Sequence, residues 1–380
     1  MKRIIIFLLV MVLVAGTMAC SPGTAPASDE SVQTESSGQN GETTESADLY
    51  NLKISSHPSP MSLPNFLGIE KGWFAENGLA VENTTYISGA PQLEAVNSGV
   101  WDVGFCGIIP PLAGVPNYDL KILGISLWDD PHMGLVVRND SKICQSGQGN
   151  IPGYPEIYGK PEDWKGATII CTQGTNGHVL LASTLNAMGL SLDDVTILHM
   201  EIQAGSQAFY AGEADAIAQW TTFTYDSISR GGYTLASTPS AVGLEVPTVI
   251  LATRSIVEEH PEVVQAYMDT VVKGLDWIAD PANFEEMEDI YYNMCLDEGV
   301  ATTEEVCNWM LSINRVPTID EMESMFEVGD DGQNGYERCI SYIMDFMISA
   351  GTHTEEQKTV LMENIDLSFL EQALKNYKGE

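Results

Sequence analysis

Basic side chains are scarce in this sequence. Its 380 residues hold 17 Lys and Arg against 53 Asp and Glu, a formal net charge of −36 at pH 7. That balance excludes nucleic acid as a partner, because phosphate binding needs clustered cations. It also excludes adhesion to anionic lipid by charge alone, and the surplus acids read as a solvated surface. Apolar runs are short after residue 14, and none approaches the roughly 20 residues that a membrane-spanning helix needs. No C-x-x-C pair occurs and the six His are scattered, so no metal centre and no cofactor is expected. G-x-S-x-G, H-E-x-x-H, the P-loop and a strand-linked G-x-G-x-x-G are all missing. The chain is therefore not expected to be an enzyme.

What is present starts with a targeting segment. Lys2 and Arg3 precede an unbroken apolar run over residues 4–14, the layout of a secretory signal. The segment ends Thr17-Met18-Ala19-Cys20, which resembles the cleavage box of a bacterial lipoprotein. Residues 1–20 are expected to be a signal peptide, with Cys20 as the lipidated N-terminus. A plain secretory cut at the same place remains open. Residues 21–48 are Ser, Thr, Gly, Pro and Gln with six acids and no Lys or Arg. Such a stretch cannot bury apolar surface, and as a flexible tether it would reach roughly 30 Å. An extracytoplasmic, membrane-anchored location is expected.

From residue 48 the pattern becomes alternating apolar runs and helical stretches, the mark of an α/β fold. Strands are predicted at 49–55, 79–87, 101–105, 120–126 and 133–137, with helices at 63–77 and 90–98. A Gly/Pro-rich loop covers 145–163. The alternation restarts with strands at 167–171, 195–200, 214–218, 233–236 and 249–252 and helices at 177–188 and 206–211. From 255 onward the pattern is helical. Two similar βα blocks imply two lobes. Cys295 and Cys307 bracket a predicted helix–turn–helix, so a bridge between them is open, while the other cysteines read as buried thiols.

Four stretches carry a resemblance. They are the run from Pro64 to Leu79, containing Lys71-Gly72-Trp73-Phe74, then Ser98-Gly99-Val100-Trp101-Asp102-Val103-Gly104, then Gly174-Thr175-Asn176-Gly177-His178, and finally Ala208-Phe209-Tyr210-Ala211-Gly212-Glu213-Ala214-Asp215-Ala216. In this order they resemble the aliphatic sulfonate, nitrate, taurine and thiamine-precursor (NMT1/THI5-like) group of substrate-binding proteins of ABC transporters. The resemblance implies a type II periplasmic-binding-protein fold. Lobe 1 would be residues 49–137 plus 246–380, lobe 2 residues 138–245, with crossing strands near 135–138 and 246–252. It further implies a monomer that carries a small molecule in the cleft to a membrane permease and its ATPase.

In open α/β sheets ligands sit beyond the carboxyl ends of strands. The candidate binding residues are therefore His57, Ser88, Gly89, Gln92, Cys106, Gly107 and Trp128 in the first lobe. In the second they are Gly174, Thr175, Asn176, Gly177, His178, Gln219 and Trp220. The turn 174–178 opens a helix, whose N-terminus favours negative charge; a simple N-cap is the alternative. Trp128 and Trp220 are expected to clamp a flat ligand from opposite lobes, and His57 to donate to an anion or brace its loop. Past the signal, the arginines are Arg138, Arg230, Arg254, Arg315 and Arg338, and none falls at a predicted cleft turn. A small organic molecule with an aromatic or apolar part is thus expected over an inorganic anion, with Asp129 or Glu201 meeting any amine. Two other readings stay open: an enzyme on the same fold with Cys106 as nucleophile, or a lipoprotein that senses its ligand without transport.

Overall fold

The computed structural model describes residues 49–128, 130–349 and 352–379. The expected signal peptide, Cys20, the tether and Asp129 lie outside the described residues.

The strands in chain order are β1 (Tyr50–Ser56), β2 (Leu79–Thr85), β3 (Val103–Gly107), β4 (Leu120–Trp128), β5 (Met133–Arg138), β6 (Thr168–Cys171), β7 (Thr196–His199), β8 (Ala216–Trp220), β9 (Tyr233–Ser237) and β10 (Pro247–Thr253). They form two five-stranded sheets, ordered β2-β1-β3-β10-β4 and β7-β6-β8-β5-β9. β1 pairs in parallel with β2 and β3, and β6 with β7 and β8. These central strands are short apolar runs because helices cover both faces; Leu52, Ile54, Val103 and Phe105 have no exposed surface.

Each sheet also takes in one antiparallel strand. β10 lies between β3 and β4, with Thr248 opposite Gly107 and Leu127. β5 lies between β8 and β9, with Leu135 opposite Ala218 and Ser237. The division expected at 137/138 puts β5 in the first lobe, but its pairing is entirely in the second sheet. The chain changes sheet at 129–132 and returns just before Pro247.

Two helices interrupt what reads as loop in the sequence. Ile109–Tyr118 carries Pro110, Pro111 and Pro116. The first two fall in the opening turn, where a missing N–H costs nothing. Thr222–Ser229 is built from Thr, Ser, Phe and Tyr, residues of modest helix propensity, and its Thr222, Thr224 and Ser227 are buried. The predicted helix 63–77 is split into Leu63–Glu70 and Trp73–Glu76, because Gly72 takes a left-handed φ of 71°, which glycine adopts without steric cost.

One continuous core underlies both sheets. The helical tail adds a separate one, in which Leu63 and Leu67 meet Tyr291, Met294, Met310 and Leu311. The long helix Pro261–Ala279 packs between Leu63–Glu70 and the last helix, Ser368–Lys378.

Candidate functional site

Two adjoining chambers lie where the strand ends of the two sheets face one another. The larger, of about 330 Å³, is lined by His57, Ser59, Trp220, Phe223, Asp226 and Arg230 among others. The smaller, of about 50 Å³, is lined by Ser88, Gly89, Gly107, Thr175 and Asn176. His57, Met61, Ile87 and Trp220 border both.

His57 follows the end of β1 and is buried. Its Nε2 lies 2.8 Å from Gln92 Oε1. The Gln92 amide nitrogen donates to Ser55 Oγ and to the Phe105 carbonyl, both at 2.8 Å. Those bonds fix which end of the amide faces the ring, so His57 Nε2 must carry the hydrogen and Nδ1 is the ring's acceptor. Burial also lowers the imidazole pKa, against the opposing Gln92 bond. His57 is therefore a neutral acceptor whose one hydrogen is spent, and it does not donate to an anion. Gln92 acts behind it as a brace.

Cys106 is fully buried beneath Gly89 and Pro110, and a Cβ on Gly89 would lie 2.7 Å from its sulfur. Trp128 is buried as well. The Arg315 guanidinium sits 4.3 Å from its ring centroid, and it borders neither chamber. The expected clamp of two tryptophans is thus not assembled; Trp220 alone of that pair lines the chambers.

In the second half, the turn at Gly174 leads into the helix Asn176–Ala187. Thr175 Oγ1 donates to the Thr172 carbonyl at 2.7 Å. Asn176 Oδ1 accepts from the Ile109 N–H at 3.2 Å, capping a helix of the opposite half. Gly107 must be glycine for this, since a Cβ there would lie 2.7 Å from Asn176 Nδ2. Ser88 reaches across too, its Oγ 3.4 Å from Glu201 Oε2. Gly177 backs the Trp220 ring. His178 turns away from both chambers; its Nδ1 accepts from the Gly174 N–H at 3.4 Å, and burial lowers its pKa, with His199 adding to the effect. Gln219 is buried behind the larger chamber, donating to Ser206 Oγ at 2.8 Å and accepting from Ser227 Oγ at 2.6 Å.

Arg230 corrects the expectation of an arginine-free cleft, for it lines the larger chamber. Its Nε donates to Asp226 Oδ2 at 2.9 Å, and its guanidinium lies 4.4 Å from the Tyr210 ring centroid. Tyr210 OH donates to the same carboxylate oxygen at 2.9 Å. The carboxylate pushes the Arg230 pKa up, so its charge is fixed.

Three further contributions complete the wall. Ser59, buried on the chamber wall, has a hydroxyl with no hydrogen-bond partner. Thr221 holds φ 50°, ψ −135°, a conformation that L-residues rarely adopt and that marks functional turns; its N–H donates to the His132 carbonyl at 2.8 Å. The tail supplies Glu298, Gly299, Val300 and Ala301 to the wall. The formal charges on the larger chamber are Asp226, Arg230 and Glu298. An acid group has a guanidinium to meet, and an apolar body has Ile87, Trp220, Phe223 and Val300.

Two sheets, each with one antiparallel strand and joined by crossovers, with chambers at their facing strand ends, define the fold of the periplasmic binding proteins. Residues 156–283 match the family described as NMT1/THI5 like. It is 24% identical over 329 residues to a protein of Brachyspira hyodysenteriae described as an ABC transporter periplasmic binding protein, covering 87% of this chain and 91% of that one. It is 25% identical over 299 residues to a protein of Bacillus subtilis named as an aliphatic sulfonates-binding protein, covering 77% and 84%. Among solved structures, the alkanesulfonate-binding protein SsuA from Xanthomonas axonopodis pv. citri bound to MOPS superposes with a TM-score of 0.65 at 20% identity, over 84% of this chain and 99% of that one.

Proposed function

We propose that this chain is an extracytoplasmic solute-binding lipoprotein. It captures a small organic acid, sulfonate-like and with an apolar or aromatic body, and delivers it to an ABC importer by closure of its two halves. The observation that carries this reading is the larger chamber. Its volume of about 330 Å³ falls in the range of roughly 300–1,000 Å³ usual for small-molecule sites. Its wall is drawn from the strand ends of both sheets, and it includes a fixed guanidinium and a buried hydroxyl that lacks a partner. The relatives named as binding proteins support the same class.

The acid group is assigned to Arg230 and Ser59, and the body to Trp220, Phe223 and Ile87. Cross-cleft bonds such as Asn176 to Ile109 would form as the halves close on the solute. Lipidation at Cys20 and the tether would keep the loaded protein, a monomer, beside its permease. An enzyme reading needs Cys106 as nucleophile, and that thiol is fully buried outside both chamber walls.

A thermal-shift screen across alkane- and arylsulfonates, nitrate, pyrimidines and amino acids tests the reading. Stabilisation grows as the logarithm of ligand excess over Kd. Sulfonates with an apolar tail should raise the melting temperature, and Trp220→Ala should reduce that shift. A panel in which amino acids stabilise and no sulfonate does would overturn it.

A further inference from the structure

The helices Phe284–Asp297 and Glu304–Ser312 form a hairpin whose connecting turn contributes Glu298 to Ala301 to the wall of the larger chamber. The hairpin does not rest on the main core. Its inner face packs with Leu63 and Leu67 in the separate tail core. Its second helix then crosses to the other half of the molecule. Tyr225 OH donates to Glu305 Oε1 at 3.0 Å, and the Tyr225 ring lies 5.0 Å from that of Trp309. Tyr225 sits in the helix that also carries the chamber residues Phe223 and Asp226. The hairpin is thus a lid, anchored on one half, tipped into the chamber and latched to the other half through Tyr225, Glu305 and Trp309.

Two thiols flank the tip of this lid. Cys295 is near the end of the first helix and Cys307 near the start of the second, and both are fully buried. Both are free thiols in this structure. Both belong to the same buried cluster as Tyr291, Met294 and Met310, and Thr302 Oγ1 lies 3.6 Å from the Cys307 sulfur. The chain between them, residues 296–306, contains the whole tip. We propose that Cys295 and Cys307 are a disulfide-forming pair that clasps the root of the lid's tip, and that its redox state sets how freely the tip, residues 296–306, moves at the chamber wall. The link to solute exchange rests on the reading of the chamber given above.

The chemistry is thiol–disulfide exchange with a small-molecule or protein disulfide, R–S–S–R. One cysteine thiolate attacks a sulfur of the reagent, forming a mixed disulfide and releasing RS⁻. The second cysteine thiolate displaces the other R–S group, leaving the Cys295–Cys307 bond. The two thiol protons leave with two molecules of RSH, and two electrons pass from the pair to the reagent. Such exchange needs a thiolate. The hydrogen bond from Cys295 lowers the Cys307 pKa, against the effect of burial, which makes Cys307 the attacking sulfur once the lid opens.

The full chain, reduced with dithiothreitol or incubated with oxidised glutathione, tests the proposal. Free thiols are blocked with N-ethylmaleimide and the digest is read by mass spectrometry. A peptide joined through Cys295 and Cys307 is expected in the oxidised sample. Hydrogen–deuterium exchange across residues 296–306, measured without any ligand, should slow at least tenfold on oxidation. Cys295→Ala and Cys307→Ala keep the site apolar and should remove the response to oxidation. No joined peptide, or a joined peptide with unchanged exchange, overturns the clasp. Butane-1-sulfonate then serves as the probe of the chamber: its release, followed by tryptophan fluorescence, should slow in the oxidised protein. Failure of this probe to bind either form counts against the sulfonate reading and leaves the ligand-free measurement of the clasp intact.

Discussion

At the scale of single residues, two of the groups that a ligand would meet are already engaged within the protein. His57 gives its hydrogen to Gln92, and Arg230 is held in place by Asp226 and Tyr210. If Arg230 receives the acid group, Arg230→Gln removes a charge-assisted bond, an effect of roughly 1.5–3 kcal/mol. Calorimetry should then find a sulfonate bound about 10–100-fold more weakly, and pairing the change with Asp226→Asn should recover part of the loss by removing the stranded carboxylate. Equal affinity in Arg230→Gln would move the acid group elsewhere. His132 makes a separate prediction. It is wholly buried where the chain changes sheet, with Nε2 3.3 Å from Asn314 Oδ1. Burial pushes its pKa down to about 4, against the Asn314 bond. A folded-state value below the unfolded one means that the unfolded chain takes up the proton first. Stability is therefore full above about pH 6.5 and lost as pH falls towards 4, by an amount on the order of 3 kcal/mol. Urea midpoints of His132→Gln should fall less over that window than those of the native chain; parallel curves would remove His132 from the account.

At the scale of elements, legibility followed the strength of the local pattern. The strands are apolar runs bounded by Gly, Asn and Asp, and all ten stretches read as strands from sequence lie within two residues of the observed bounds at either end. The chambers were legible where they are made of strand ends and the turns after them, at His57, Ser88, Gly89, Gly107, Thr175, Asn176 and Trp220. Arg230 escaped because the helix Thr222–Ser229 is written in poor helix formers. Without that helix, the four-residue spacing from Asp226 has no meaning, and the stacking on Tyr210 joins residues of two separate elements. Residues 298–301 escaped because a turn in the tail reaches the chamber only through long-range packing. Asn176 reads in sequence as a cap for its own helix, and in space it caps Ile109–Tyr118 instead. The close approach at Gly107 makes that bond testable. Gly107→Ala would force the Asn176 amide aside. An affinity loss of about tenfold is expected, with a larger radius of gyration in X-ray scattering because the halves no longer meet. Unchanged dimensions and affinity would show that the bond does not hold the halves together.

At the scale of the whole molecule, the charge of −36 acts on every contact between the halves. Among the described residues many basic groups are already paired with acids at the surface, as in Lys71 with Glu286 and Lys273 with Glu76, so the excess is uncompensated carboxylate. Salt shortens the reach of that repulsion from roughly 30 Å at 0.01 M to about 8 Å at 0.15 M. The melting temperature should rise by several degrees over that interval, and a flat response would mean that the carboxylates are neutralised locally. The sheet order has a consequence for how the molecule is made. All strands of the second sheet lie in one unbroken stretch, from Met133 to Ser237. In the first sheet β4 has β10 as its neighbour, and β10 begins at Pro247. During synthesis β4, buried along nearly its whole length in the finished protein, therefore waits with both edges bare until more than a hundred later residues have emerged. Such an apolar strand is a point where chains misassemble or chaperones bind. Pulse-labelled hydrogen exchange during refolding should find β6 and β8 protected before β4.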